Sequence, residues 1–413
     1  MQNTPTHLPS LLGTILFALS GLFLLGIGLL MGLAVLIAFF TGEPVQAQQT
    51  IFFLAFCFEA ALLFTIAFFA FQKTLRKPVA DQSSSVSVSP LRILLGILVA
   101  AAAILIGSQI GRIEPLNWVL LPLLTLPAVV LPLGVLLALG AQRLPMATRW
   151  QSWSVLGLGM SLAPLLLLIL EAVIAIILFI GVVVYISSQP ELASELERIA
   201  RQLMVLGPQS EAAQDLLSPY LTKPSVMFIA LLYIAVLVPA IEELCKPLGV
   251  WLLAGKLNST AQGFTMGALS GAGYALVETI GVSGQVSEWA VLLFTRIGTG
   301  LLHITTSALM GAAIVSALHE RRYRRLIGTY LFVVLLHGLW NATAILFTFS
   351  TLAEFLDQPG PLETIQPWLT AVMILLAVGL FVILMTSNRK MRAVTIAPLS
   401  EPVISTEQTD RIS

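Results

Sequence analysis

LLGTILFALSGLFLLGIGLLMGLAVLIAFF, Leu11 to Phe40, contains no charged side chain. About 20 consecutive apolar residues carry a helix across the ~30 Å hydrocarbon core of a bilayer. The block therefore reads as a membrane helix. It is too long for the apolar core of a secretory signal, and His7 is the only basic-type side chain before it, so the helix is expected to be retained.

The same texture recurs along the rest of the chain. Hydrophobic residues make up 57% of the 413 and charged residues 10%, with a mean hydropathy of +0.95. A soluble domain carries roughly 25% charge. The apolar blocks predict spans near 15–40, 51–71, 93–111, 118–141, 158–186, 226–254, 264–283, 290–317, 326–349 and 367–386. The expected fold is thus an all-α polytopic transmembrane bundle of about ten spans. A formal net charge of +0 gives no sign of a nucleic-acid partner. Cys57 and Cys245 both fall in apolar blocks and read as small buried hydrophobes.

Basic residues follow every second span. They are Lys73, Arg76 and Lys77; Arg143 and Arg149; Arg321, Arg322, Arg324 and Arg325 in HERRYRR; and Arg389, Lys390 and Arg392. The intervening loops carry Glu43, then Glu354, Asp357 and Glu363. Because Lys and Arg collect on the cytoplasmic side, a multi-pass cell-membrane protein with both termini cytoplasmic is expected. The stretch 188–224, with ELASELERIARQLM, falls outside and has helical periodicity, suiting a helix on the bilayer surface or a cap over the bundle. Asp81–Pro90, DQSSSVSVSP, reads as a polar linker, and the last twenty residues as disordered. The organisation expected is an N-terminal transmembrane region over 1–225, a core over 226–349, and a last span with a cytoplasmic tail over 350–413.

Charge inside the spans is rare. VPAIEELCKPLGVWLL, Val238 to Leu253, places Glu242, Glu243 and Lys246 in an apolar block whose Pro239 and Pro247 predict a kink or a split helix. Glu59, Glu171, Glu278, Arg296, His303 and His337 complete the set. Such groups are costly at bilayer depth and normally pair or face a cavity. Glu242 and Lys246 are four apart and share a helix face, while Glu243 points about 100° away. Tyr274 with Glu278 and His337 with Asn341 repeat the four-residue spacing, and Arg296 with His303 spans two turns. Four consecutive spans therefore present polar faces that could line one pocket. A carboxylate can activate water, histidine or asparagine can stabilise an oxyanion, and carboxylate with imidazole suits zinc. Proton-coupled transporters use the same residues at mid-membrane. Glu59 and Glu171 read as structural, and His7 and His319 as lying outside any site. Gly263, Gly267 and Gly271 put a smooth strip on the seventh span, expected to bring Glu278 close to the sixth.

Glu242-Glu243-Leu244-Cys245-Lys246 resembles the E-E-x-x-K motif of the PrsW-type intramembrane proteases. Tyr274-Ala275-Leu276-Val277-Glu278 is similar to their aromatic-x-x-x-E motif, with tyrosine where phenylalanine is usual. Arg296 with LLHITTSALMG, ending at Gly311, resembles the histidine helix, and His337-Gly338-Leu339-Trp340-Asn341 the H-x-x-x-N motif. Order and spacing agree across about 230–345. The wider superfamily includes the CAAX prenyl endopeptidases and the bacteriocin-processing immunity proteins.

The resemblance implies an intramembrane endopeptidase acting on membrane or membrane-associated proteins. Glu242, Glu243, Glu278, His303, His337 and Asn341 would be catalytic, with Lys246, Tyr274 and Arg296 in support. Some relatives are metalloproteases and others metal-independent. Zinc, where used, would fall to Glu243, Glu278, His303 and His337. An inactive relative with a scaffold or sensor role, and a proton-coupled transporter, are the alternatives.

The charge alternation predicts sidedness. With a membrane-impermeant maleimide, Arg321→Cys and Gln202→Cys are expected to label from opposite faces; labelling from one face would overturn this topology.

Overall fold

The computed structural model describes residues 7–207, 210–221, 223–283, 289–355 and 361–396. The tail beyond residue 396, expected to be disordered, lies outside them. The first helices are α1 (Leu8–Thr41), α2 (Ala47–Thr74), α3 (Pro90–Ile110), α4 (Glu114–Ala141) and α5 (Arg149–Met160). The middle of the chain holds α6 (Leu162–Ser187), α7 (Pro190–Leu206), α8 (Glu211–Leu221), α9 (Pro224–Leu232), α10 (Val238–Cys245) and α11 (Leu248–Leu253). The last four are α12 (Thr260–Val282), α13 (Trp289–Glu320), α14 (Tyr323–Phe355) and α15 (Pro361–Ile396).

Among the described residues, nine stretches are long and apolar enough to cross a membrane, with α5–α6 and α9–α11 each counting as one. The expected seventh span, α12, is not one of them. Its position explains why. Every residue from Ala261 to Leu276 is buried, so α12 faces protein rather than lipid and is free to be built from small and polar residues. Counting α12, the described residues hold ten long helical segments, in line with the about ten spans expected. α13 is its axis, with 89% of its apolar window buried, against 17% for α1.

The central contact is made by backbone. A Cβ placed on Gly267 would collide with the Ser307 carbonyl oxygen, one on Gly271 with that of His303, and one on Gly311 with that of Gly263. The glycine strip of α12 thus seats directly on α13. It does not face the sixth span, as expected from sequence. That span meets α12 on another side, where Ser270 Oγ donates to the Lys246 carbonyl (2.6 Å).

Prolines shape the remaining breaks. Pro164 has no N–H to offer the Met160 carbonyl, and the chain breaks at Ser161 between buried α5 and lipid-facing α6. In the sixth span, residues 233–237 form a π-helical turn in which Val238 N–H bonds the Tyr233 carbonyl. The next bond in that register would come from residue 239 to Ile234, but Pro239 has no N–H. Asn341 Nδ2 on α14 supplies it (3.0 Å), and Gly338 lets α14 pack against the Ala235 carbonyl. Pro247 then separates α10 from α11, so the expected kink is a division into three helices.

One loop is more ordered than expected, and another is helical as its periodicity suggests. Within the Asp81–Pro90 linker, β1 (Ser83–Ser85) pairs antiparallel with β2 (Pro145–Thr148), Ser83 opposite Thr148 and Ser85 opposite Pro145. Gln142 extends the pairing through both main-chain groups of Val88, and Thr265 Oγ1 on α12 bonds the Pro145 carbonyl (2.8 Å). The 188–224 stretch holds α7 and α8, joined by a bond from Tyr220 to Glu195.

Overpacking a close contact costs about 1–3 kcal/mol. Gly267→Ala is expected to lower the thermal unfolding midpoint in detergent. Gly181→Ala on α6, where an added methyl meets nothing within 4 Å, is expected to leave it unchanged.

Candidate active site

α10, α12, α13 and α14 bring the charged groups together. Pro239 and Pro247 bracket α10, so Glu242, Glu243 and Lys246 sit on a short rigid segment. α10 is held from behind by Tyr330, whose hydroxyl donates to the Ala240 carbonyl (2.7 Å). Lys246 is wholly buried. Its ammonium lies 2.7 Å from Glu242 Oε2, 2.9 Å from Glu243 Oε1, 2.7 Å from His303 Nδ1 and 3.3 Å from His337 Nδ1. The Tyr274 ring centroid is 5.1 Å from that ammonium, and the Tyr274 ring packs edge-on against His303.

These distances assign the tautomers. His303 Nε2 is 2.6 Å from Glu278 Oε2, so it carries the proton and donates. That leaves the Nδ1 lone pair of His303 to accept from Lys246. Lys246 donates to Glu243 and His303 and pairs by charge with Glu242. His337 Nδ1, 2.8 Å from Glu243 Oε1, is then the donor to that carboxylate. Its Nε2 stands 3.6 Å from Glu242 Oε2.

Glu278 stands behind His303 rather than beside Glu243. Arg296 grips both its oxygens, NH1 to Oε1 at 3.1 Å and NH2 to Oε2 at 2.7 Å, and reaches Thr279 Oγ1 through Nε. The chain Arg296–Glu278–His303 holds the ring as a carboxylate holds a metal-bound histidine. The Glu278 side chain is 34% exposed, whereas those of Glu242, Glu243, Lys246, His303 and His337 are 9% or less. Of these groups, Glu278 is the one that stands partly open.

Glu242, His303 and His337 each offer a ligand atom within 4.8 Å of the others, the one group of three such residues among those described. Two atoms bound to tetrahedral zinc at 2.0–2.2 Å stand about 3.4 Å apart, close to the 3.6 Å between His337 Nε2 and Glu242 Oε2. A carboxylate and two neutral imidazoles with an open position form a catalytic zinc set. The donors fit such an ion in type and spacing. The carboxylate gathered here is Glu242, where the sequence reading had Glu243 and Glu278.

Asn341, expected at the reacting carbonyl, makes its bond to Ile234, and no hydrogen bond from it to the cluster is found among the described residues. Glu171 contributes its main-chain carbonyl, to Tyr233. Glu59 on α2 is buried, with Oε1 unpartnered and no ion pair among the described residues. His7 caps α1, and His319 lies against the Ala254 carbonyl. Ser270 and Tyr330, which fix the main chain around α10, escaped the sequence reading; a hydroxyl in an otherwise apolar helix is the only trace they leave.

The bundle thus gathers two histidines and an acidic pair in one buried place. The chain is a member of the PrsW family, described as PrsW family intramembrane metalloprotease, which it matches over residues 148–382. It is an intramembrane protease. The matched stretch takes in α5 and α6 as well as the four motif-bearing helices. No curated protein and no solved structure matches the chain.

The Arg296 clamp yields a kinetic prediction. Losing a group that orients a metal-bound histidine costs about 10- to 100-fold in activity. Arg296→Gln is expected to lose that much in kcat with KM little changed, and Arg296→Lys to lose less. Equal losses in both, or a loss in KM alone, would separate Arg296 from the histidine.

Proposed function

We propose that the chain cleaves membrane or membrane-associated polypeptides at a metal centre on Glu242, His303 and His337, with Glu243 as general base. The gathering of those three side chains in one buried place carries this reading. When bound, the metal polarises the scissile carbonyl and lowers the pKa of a water to about 7. Everything else falls to side chains. Glu243 Oε1 is engaged by Lys246 and His337, while Oε2 is buried without a hydrogen-bond partner. That free oxygen is the acceptor for the proton of the attacking water, which Glu243 then passes to the leaving amine. Glu278 and Arg296 hold His303 in its ligating tautomer. Asn341 keeps α14, and so His337, in register with the sixth span.

The basic loops support a cytoplasmic location for both termini, and the exposure of Glu278 supports water entry from its side. The family and the membrane setting support a membrane or membrane-associated polypeptide as substrate.

The test is cleavage of membrane-peptide substrates by the protein in liposomes, with and without chelator. Glu243→Gln keeps the shape but cannot take a proton, so turnover is expected to fall about 10²–10⁴-fold with substrate binding retained. Glu242→Gln is expected to lose turnover together with bound metal. Wild-type rates in both variants would remove both carboxylates from the chemistry.

A further inference from the structure

We propose that Lys246 is the resident cation of the ligand centre, and that a metal ion enters only by displacing its ammonium. This rests on the reading of Glu242, His303 and His337 as ligands. The ammonium sits against two of the atoms that the ion would use. It lies 2.7 Å from Glu242 Oε2 and 2.7 Å from His303 Nδ1, in full burial. An ion bound to the same two atoms at about 2.1 Å can stand no more than about 3.5 Å from that nitrogen. Ammonium and dication at that separation, with no water between, repel strongly. The two occupants therefore exclude each other.

The surroundings suit an exchange. Glu242 and Glu243 together outweigh the single ammonium, so a second positive charge or a proton is needed for balance. Lysine has a long flexible stem. The ammonium already overlies the Tyr274 ring at 5.1 Å, and a move toward that face keeps the displaced cation in favourable contact. Glu243 keeps His337 as partner when the lysine leaves. With the ammonium in place, a metal-free chain leaves one carboxylate charge to be balanced rather than two.

Wild type, Lys246→Met and Lys246→Gln, purified in detergent and stripped with chelator, would be dialysed against graded free zinc. Bound zinc per chain would be measured by mass spectrometry, with His303→Ala added in each background. Lys246→Met is expected to half-saturate at tenfold lower zinc or less, with Lys246→Gln between it and wild type, and with His303→Ala removing the gain. Equal or weaker binding by folded Lys246→Met would overturn the displacement. Should that variant fail to fold, Lys246→Gln decides in the same way. Peptide cleavage by the wild-type preparation separates the two ideas. Zinc-dependent cleavage with equal affinities sinks the displacement alone, whereas no zinc in any folded variant sinks it together with the metal reading.

Discussion

The contact that the rest of the molecule depends on is the one between the main chains of α12 and α13. Its three meeting points pair a glycine on one helix with a carbonyl on the other, and one of those carbonyls belongs to His303. In lipid there is no hydrophobic drive to press helices together, so van der Waals contact between smooth surfaces has to hold them. That contact fixes the height of His303 against Tyr274 and Glu278, which project from the partner helix. Around this pair the bundle is progressively less buried, down to α1 and α6, whose faces are given to lipid.

The electrostatics follow from that placement. Five ionisable groups lie almost out of reach of water, where removing one partner of a buried pair typically costs about 3–5 kcal/mol. The protein meets this by giving each charge several partners rather than one. Lys246 links both carboxylates and the His303 imidazole, and Arg296 closes the second circuit through Glu278. The same arrangement that keeps the charges affordable also sets each histidine in one tautomer, so folding energy and chemical readiness come from the same bonds.

Much of this was legible in the sequence. Long uncharged blocks fixed the class, and Glu242, Lys246, His303 and His337 stood out because ions are so rare in such blocks. Helical spacing told which residues share a face, but it is silent on which neighbour that face meets. Hence the glycine strip of α12 was paired with the wrong span, and Glu278 was set beside Glu243 instead of behind His303. Asn341 was read for its chemistry; its bond to Ile234 became visible only once Pro239 was seen to withhold a donor. The ribbon of Ser83–Ser85 escaped notice because three serines show no alternation of apolar and polar residues, and their order comes from Gln142, Thr265 and the β2 backbone. α12 reads as one of the apolar blocks, although its hydropathy sets it below the other spans.

The π-helical turn at residues 233–237 has a consequence for how the sixth span is inherited and altered. Such a turn holds one residue more than an α-helical path would need, and each residue turns a helix by about 100°. α9 and α10 are therefore out of phase, like two lengths of screw joined with a skipped thread. A wheel drawn through the whole span assigns one half to the wrong face. Deleting a single residue inside the turn would restore the phase and swing the lipid-facing side of α9 through about a quarter turn, leaving Glu242 to Lys246 where they are. Length changes at this one place re-aim the outer half of the span independently of the inner half.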